Sequence, residues 1–394
     1  MSKTLQDYAT LINDTIQSNE INHYITTDNM CQNLGGIDTF KNINIPQGKV
    51  RSFQKDDILL SNIRLYFRKV YRAKQKGGCS SDVLVFRAKH IDSATLFAIL
   101  SSQIFTDYAC SGSQGSKMPR GNKTHMMDFK IPTINFTIAK IFNSIQNKIE
   151  NNHKINELLH KILELLYEQY FVRFDFLNEN NKPYQTSGGK MKFSKELNRL
   201  IPNDFEVKTL GELITWISGS QPPKSCHIYE HKEGYIRFIQ NRDYSSNDYI
   251  TYIPISKNNK ICYQYDIMID KYGEAGAVRF GLQGAYNVAL SKISVLNQSM
   301  QEYIRSYLNS KPIKKYLSNA CMASTRSSLN ENHIYSLMLP IPPINLLQKY
   351  EKIAKNIITA IIKNNQSTQT LTALRDFLLP LLLKQQVKPK QKIL

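Results

Sequence analysis

The sequence predicts an α+β fold: two tandem mixed α/β domains, each followed by a long helix, with the second half of the chain an imperfect copy of the first. Three observations predict it. The chain has 394 residues, too many for one ordinary domain. Short strings recur in the same order about 205 to 213 positions apart. Each copy also passes from short strand-like runs with Gly and Asn turns into a segment with a heptad apolar seam.

The repeat is the strongest signal. Lys3-Thr-Leu-Gln-Asp7 returns as Lys208-Thr-Leu-Gly-Glu212, and Asn122-Lys-Thr-His125 with Ile131-Pro132 returns as Asn330-Glu-Asn-His333 with Leu339-Pro340. Asn151-Asn152, Leu158, Leu165 and Leu166 return as Asn364-Asn365, Leu371, Leu378 and Leu379. A period this long marks a duplicated domain rather than a solenoid.

Within each copy, Asp57-Ile-Leu-Leu-Ser61 and Val83-Leu-Val-Phe86 read as strands, as do Asp266-Ile-Met-Ile-Asp270 and Val288-Ala-Leu290. Proline at Ile131-Pro132 and at Leu339-Pro-Ile-Pro-Pro343 stops a strand and can start a helix. Alternating steps of four and three then link Ile138, Phe142, Ile145, Ile149, Asn152, Asn156, Leu159, Leu163, Leu166 and Tyr170. The same stepping links Leu346, Tyr350, Ile353, Ile357, Ala360, Asn364, Ser367, Leu371, Leu374, Leu378 and Leu381. This is a coiled-coil period, and both seams turn polar in the middle. Two helices packed on each other, with the polar residues fixing their register, explain it; separate packing of each helix on its own domain is the alternative. About 30 helical residues span roughly 45 Å.

The expected organisation is a first domain at 1–136, a long helix at 137–176, a polar connection at 177–204, a second domain at 205–343, a second long helix at 344–386 and a basic tail at 387–394.

Lys and Arg number 51 against 32 Asp and Glu, for a net charge of +19 and a pI near 9.5. Each phosphate neutralised by a basic side chain releases a condensed counterion, so this balance favours a polyanionic partner. A generally basic soluble protein is the plainer alternative. Arg64, Arg68, Lys69, Arg72, Lys74 and Lys76 are mixed with Tyr66, Phe67 and Tyr71 without an acid. That mixture suits phosphate contact and approach to base edges, or simply a solvated strand and turn. The loop Ser116-Lys117-Met-Pro-Arg120-Gly-Asn122 matches Ser324-Thr-Arg326-Ser-Ser328-Leu-Asn330, and each offers hydroxyl, amide and guanidinium donors. Arg237, Asn241 and Arg242 are further candidates, as are Lys271 and Tyr272 in a stretch whose Gly273 and Gly276 permit close backbone approach.

No catalytic constellation can be assembled. The chain has no Gly-x-Gly-x-x-Gly or Walker loop and no Asp/Asn-Pro-Pro-Tyr element, and Asp204 and Glu206 stand too close in sequence for a strand-borne nuclease metal site. No Cys-x-x-Cys occurs among the six cysteines, and Cys226-His227 with His231 reads as a polar turn. No metal and no cofactor are expected. The N-terminus lacks a signal-peptide core and no apolar run nears the ~20 residues of a membrane helix, so a reduced, cytoplasmic setting is expected.

Taken together, these residues resemble the specificity subunit of a type I restriction–modification system over nearly the whole chain. The resemblance rests on the order domain–helix–domain–helix and on the junction Leu165-Leu-Tyr-Glu-Gln-Tyr-Phe-Val-Arg-Phe-Asp-Phe176. Gly188-Gly-Lys-Met191, Ile201-Pro-Asn-Asp-Phe-Glu206 and the string from Ser324 to Pro343 add to it. It implies a non-catalytic subunit whose two target-recognition domains each read one half of a bipartite, asymmetric double-stranded DNA target. It implies that the helices, the family's central and distal conserved regions, form an antiparallel pair that sets the unread spacer. It further implies two docked adenine-methylating modification subunits and restriction subunits that translocate and cleave. A stand-alone DNA-binding regulator with two readers is the alternative function. The first copy lacks the Ile-Pro-x-x-Phe-Glu lead-in and has Met118-Pro-Arg120 where the second has Arg326-Ser-Ser328, so the copies are unequal.

Overall fold

The computed structural model describes residues 3–39, 41–131, 134–245, 249–322 and 328–382. The expected basic tail, 387–394, lies outside the described residues. The chain forms two compact units, Met1–Ile155 with Asn364–Leu394, and Asn156–Lys363. Each unit therefore takes one half of each long helix, so that neither helix is a body separate from the domains.

In the first unit a four-stranded antiparallel sheet runs in the order Ala9–Ile12, Val83–Ala88, Ile58–Ser61, Val70–Arg72. Ile58–Ser61 is buried along its whole length, because helices cover one face and a second sheet lies on the other. The second sheet joins Thr15–Gln17, Lys49–Phe53, Gly77–Cys79 and Tyr24–Ile25. The helices Ser93–Leu100 and Gln103–Ser111 start at Asp92 and Ser102, whose side chains accept from the Thr95 and Phe105 amides. Their apolar residues join Leu60, Phe86 and Phe142 in one core, which Leu379 and Leu382 of the second long helix complete.

The second unit repeats this plan. Its main sheet runs Ile214–Ser218, Leu290–Val295, Ile267–Asp270, Val278–Arg279, the same order as in the first unit. The repeated Lys-Thr-Leu string does the same work twice. Asp7 accepts from the Thr4 amide at 2.7 Å, and Glu212 accepts from the Thr209 amide at 2.7 Å. Beside them Leu5 N donates to Phe129 O, as Leu210 N does to Leu337 O. The smaller sheets are less alike. The second unit orders Tyr252–Pro254, Tyr235–Ile239, Gly284–Tyr286 and Ile261–Cys262, which places the extra edge strand, Tyr252–Pro254, at the opposite end from Thr15–Gln17.

Two details differ from the sequence reading. Val288 and Ala289 form a turn, held by Asn287 Oδ1 accepting from Ala289 N at 3.1 Å, and the strand starts only at Leu290. The connection 177–204 contains an antiparallel hairpin, Met191–Ser194 with Arg199–Pro202.

The first long helix spans Phe136–Tyr167 and continues as a π turn, Glu168–Val172. The second spans Ile344–Leu378 and ends in a 3₁₀ turn, Leu379–Leu382. They pair antiparallel. In the first unit Asn135 N donates to Leu382 O, Gln146 meets Arg375, and Asn152 Nδ2 donates to Thr368 Oγ1 at 3.2 Å and to Ser367 Oγ at 3.4 Å. In the second unit the Tyr170 and Phe171 rings lie 5.7 and 4.8 Å from that of Tyr350.

On the first helix Ile145, Ile149, Asn152, Asn156 and Leu163 are buried and Leu159 is half-buried. On the second the buried line lies one residue beyond the expected one. It runs through Leu347, Tyr350, Ala354, Ile358, Ile361, Arg375, Leu379 and Leu382, while Ile357, Asn364 and Leu371 are half-buried and Ile353 and Leu374 exposed. This helix is apolar over a wide arc and faces both its partner helix and a domain core, so two adjacent heptad lines fit its sequence and only packing chooses between them.

In the second unit the helix Gln301–Asn309 carries a buried ionic cluster. Arg305 pairs with Glu302 through Nε at 2.7 Å and Nη2 at 3.0 Å, and Glu351 of the long helix accepts from the Glu302 amide at 2.9 Å. Burial pushes the Glu351 carboxyl up to about 7, with Glu302 adding to the shift and the Glu302 amide, Arg305 and Lys355 opposing it. Glu351 is thus protonated in the fold and ionised in the unfolded chain between the ordinary Glu range and pH 7, and its contribution to stability falls as pH rises through that window. Replacing Glu351 by Gln keeps the amide-accepting oxygen and removes the titration. In denaturant melts from pH 5 to pH 8, E351Q should gain stability relative to the parent as pH rises; a constant difference would refute this.

Candidate nucleic-acid interface

In the first unit most of the basic run turns inward. Arg68 Nη2 donates to Ser101 O at 2.9 Å, and Lys69 Nζ to Thr27 O. Arg72 donates to Asn143 Oδ1 at 2.8 Å and pairs with Asp56 at 3.1 Å. Lys74 donates to Asn147 Oδ1 at 2.6 Å and pairs with Glu150 at 3.2 Å. Arg72 and Lys74 thereby fasten the edge strand to the first long helix, and the guanidinium of Arg68 is desolvated enough to lower its pKa. Arg68, Lys69 and Arg72 are thereby held against the protein, while Lys74 stays exposed as it reaches the helix.

What remains outward is smaller and better defined. Arg64 and Arg68 both adopt left-handed backbone, at φ 50° and 49°, and between them a 3₁₀ turn lifts Tyr66 to 53% exposure, edge-on to Phe67. The predicted loop comes to this turn: Arg64 N donates to Pro119 O at 2.9 Å, Arg64 Nη2 to Lys117 O at 3.2 Å, and Gly121 N to Asn62 O at 3.1 Å. Ser116 and Lys117 are exposed. Arg120 pairs with Asp82 at 3.1 Å yet keeps a largely exposed side chain. Asn122 is taken up as the cap of the helix Lys123–Met127, accepting from His125 N.

The second unit brings three predicted segments together. Asn241 Nδ2 donates to Tyr272 O at 3.3 Å, and Leu329 N to Lys271 O at 3.0 Å. The latter bond is the counterpart of Gly121 to Asn62, since both join the loop to the residue just past the equivalent strand. Arg242 is exposed, with its guanidinium 5.9 Å from the Tyr249 ring, and the Lys271 ammonium lies 6.0 Å from the Tyr272 ring. Arg237 is half-buried on the strand Tyr235–Ile239. Ser328 is half-buried, Asn330 caps the helix Glu331–Tyr335, and Ser324 and Arg326 lie outside the described residues.

Two features escaped the sequence reading. Tyr249 is 69% exposed beside Arg242, but no spacing or repeat marks it. Asp270, buried, pairs with Arg279 at 2.9 Å, and Arg279 also holds Glu274, which ties down the turn that carries Lys271 and Tyr272. Burial raises the Asp270 pKa, and the Arg279 bonds oppose that. Of the two glycines in that turn, Gly273 (φ 75°) is open to solvent, whereas a Cβ at Gly276 would stand 2.7 Å from Leu317 Cβ. Gly276 therefore serves packing and only Gly273 leaves room for an approaching ligand.

Each unit thus presents aromatic rings beside flexible cations and few acids, an arrangement that suits phosphates and stacked or edge-on bases. Among the described residues no helix is long and apolar enough to cross a membrane, and no group of three or more His, Cys, Asp or Glu could hold a metal ion.

Comparison with known proteins gives a consistent picture. The family model for the type I restriction modification DNA specificity domain matches residues 202–373. The type I restriction enzyme MjaIX specificity subunit of Methanocaldococcus jannaschii is 24% identical over 298 residues, which are 72% of this chain and 67% of that protein. The MjaVIII specificity subunit of the same organism is 22% identical over 179 residues, 45% of this chain and 41% of that protein. The crystal structure of a type I restriction–modification S subunit from M. genitalium shares the fold with a TM-score of 0.63 at 15% identity, over 98% of this chain and 96% of that one.

Inward and outward cations should separate in a salt titration of affinity for duplex DNA. Lys117→Ala and Arg242→Ala should each lower the slope of log affinity against log salt by about one. Arg72→Ala should leave the slope unchanged and destabilise the first unit by about 1–3 kcal/mol in a denaturant melt. A reduced slope for Arg72→Ala, or unchanged slopes for the other two, would overturn the assignment.

Proposed function

We propose that the chain, which is similar to type I restriction–modification specificity subunits, is itself such a subunit and that its two units read the two halves of one split, asymmetric DNA target. In this reading it is non-catalytic and directs partner enzymes to DNA sequence, in keeping with the specificity domain and specificity subunit that it matches. The observation that carries the proposal is a pair of clusters built on the turns after equivalent strands: Tyr66, Lys117 and Arg120 in one unit, and Lys271 and Tyr272, joined by Arg242 and Tyr249 from another segment, in the other. One architecture holding two different sets of donors and rings is what two unlike half-sites require.

The antiparallel helices act as the spacer between the readers, and their outer faces dock two methyltransferase subunits. Supporting this, Leu158, Ile162 and Leu165 lie in heptad steps on the first helix and are 48–50% exposed. Leu374, Phe377 and Leu381 stand in heptad steps on the second and are 44%, 69% and 37% exposed. Stripes of large apolar side chains at helical spacing suit partner helices. Restriction and translocase subunits would join the same assembly.

Two tests address this. With its methyltransferase partner, the chain carrying Arg326→Ala should lose recognition of one half-site only, by about tenfold or more in methylation rate on single-base variants; equal loss at both halves would refute two independent readers. Shortening both helices by one heptad should change the accepted spacer length, and an unchanged spacer would remove the ruler. Should the purified chain bind S-adenosylmethionine stoichiometrically, or read its target without a methyltransferase partner as a regulator would, the directing role would fail.

A further inference from the structure

The polar residues of the helix seam do more in the first unit than match one helix to the other. Arg375, on the second helix, is 2% exposed, and Gln146, on the first, is 1% exposed. Burying a guanidinium is costly unless its donors are used, and here the partners are one backbone carbonyl and two side chains. Arg375 Nη1 donates to Asn33 O at 3.2 Å and to Gln146 Oε1 at 3.1 Å, and Nε pairs with Asp376 at 3.0 Å. Gln146 Nε2 donates to Leu34 O at 2.6 Å.

Asn33 and Leu34 are two consecutive non-glycine residues in left-handed backbone, at φ 52° and 60°. A leucine there is strained by about 1–2 kcal/mol. The conformation turns both carbonyls toward the helices and leaves both amides free to point elsewhere. Those amides donate to the reading segment: Asn33 N to Phe67 O at 2.9 Å and Leu34 N to Arg68 O at 3.1 Å. The two acceptor carbonyls lie at the end of the turn that lifts Tyr66 and is braced by Arg64 on the Lys117 loop. A two-peptide relay thus runs from Arg375 and Gln146, through Asn33 and Leu34, to the turn that presents Tyr66.

Among the described residues the second unit shows no such relay. The repeat alignment sets Arg375 opposite Ile162, which is 50% exposed, and Gln146 opposite Thr359, whose hydroxyl bonds to the Tyr265 hydroxyl. There the long helices are held by Tyr167, Phe171, Tyr303 and Tyr350 packed on one another.

We propose that Arg375 and Gln146 are positioning residues for the first reader: through the strained Asn33–Leu34 peptides they fix the turn that carries Tyr66, and so set the fidelity of one half-site without touching DNA. The proposal rests on the DNA-reading function above, and its test has one arm that does not. That arm is amide hydrogen exchange on the full-length chain. Arg375→Met should speed exchange of the Asn33 and Leu34 amides by about tenfold or more, the equivalent of one charge-assisted hydrogen bond. Exchange in the second unit, around Tyr303, should stay at its parent rate, and Arg375→Lys should restore part of the protection. The second arm measures methylation by the assembled complex on single-base variants of each half-site. Arg375→Met should reduce discrimination by about tenfold at one half only. Gln146→Leu, which removes the bond to Leu34 O, the link to Arg375 and a bond to Glu150 on the same helix, should move both readouts in the same direction and decides the matter if Arg375→Met does not fold. Unchanged exchange at Asn33 and Leu34, or equal loss at both half-sites in a folded variant, overturns the relay. If the parent complex discriminates at neither half-site, the DNA-reading function falls, while the exchange arm still decides whether Arg375 and Gln146 hold the loop.

Discussion

Each long helix has to bury two neighbouring faces at once, one against the other helix and one against a domain core, and most of the structure follows from meeting that demand. A helix serving one partner needs a single apolar stripe; one serving two needs a wide arc, with the deepest line between the two directions. The second helix shows this. Tyr350, Ala354, Ile358 and Ile361 are its most buried residues, while the neighbouring heptad line through Ile353 and Ile357 is exposed or half-buried. The same demand explains why the compact units cut across the helices: each half-helix belongs with the domain whose core it completes.

The two units meet the demand by different chemistry. In the second, aromatic rings fill the junction and their hydroxyls are spent on backbone carbonyls, Tyr307 on Met338 and Tyr303 on Pro340. In the first, polar side chains reach from the helices into the domain, Arg72 and Lys74 reach back, and the apolar contribution comes from Phe142, Leu379 and Leu382. Aromatic packing is tolerant of small shifts. Directed hydrogen bonds to particular carbonyls are not, and they link the helices of the first unit to the turn that carries Tyr66.

The duplication was legible because its strings carry backbone chemistry. Thr4 with Asp7 and Thr209 with Glu212 are capping pairs, and Asn122 and Asn330 are helix caps. Those roles depend on local sequence, so they recur as recognisable words. Each of the two asparagines, read from sequence as a ligand donor, uses its side-chain oxygen as a cap. The basic run from Arg64 to Lys76 misled in a related way: composition shows that cations are present, but whether Arg72 points to Asn143 or to solvent depends on where the helix lies, which no local pattern contains. Tyr249 was illegible because exposure beside Arg242 is a property of the folded loop. The smaller sheets diverge for want of constraint, since an edge strand can be added at either end without disturbing the main sheet.

If one chain carries two unlike readers, as proposed, their joint target is split. Methylome sequencing of cells with and without this gene tests it most directly. The account predicts one adenine-methylated motif, made of two different short blocks separated by a fixed unread spacer, present only when the gene is intact. A contiguous or palindromic motif, or a methylation pattern that does not change when the gene is removed, would contradict it.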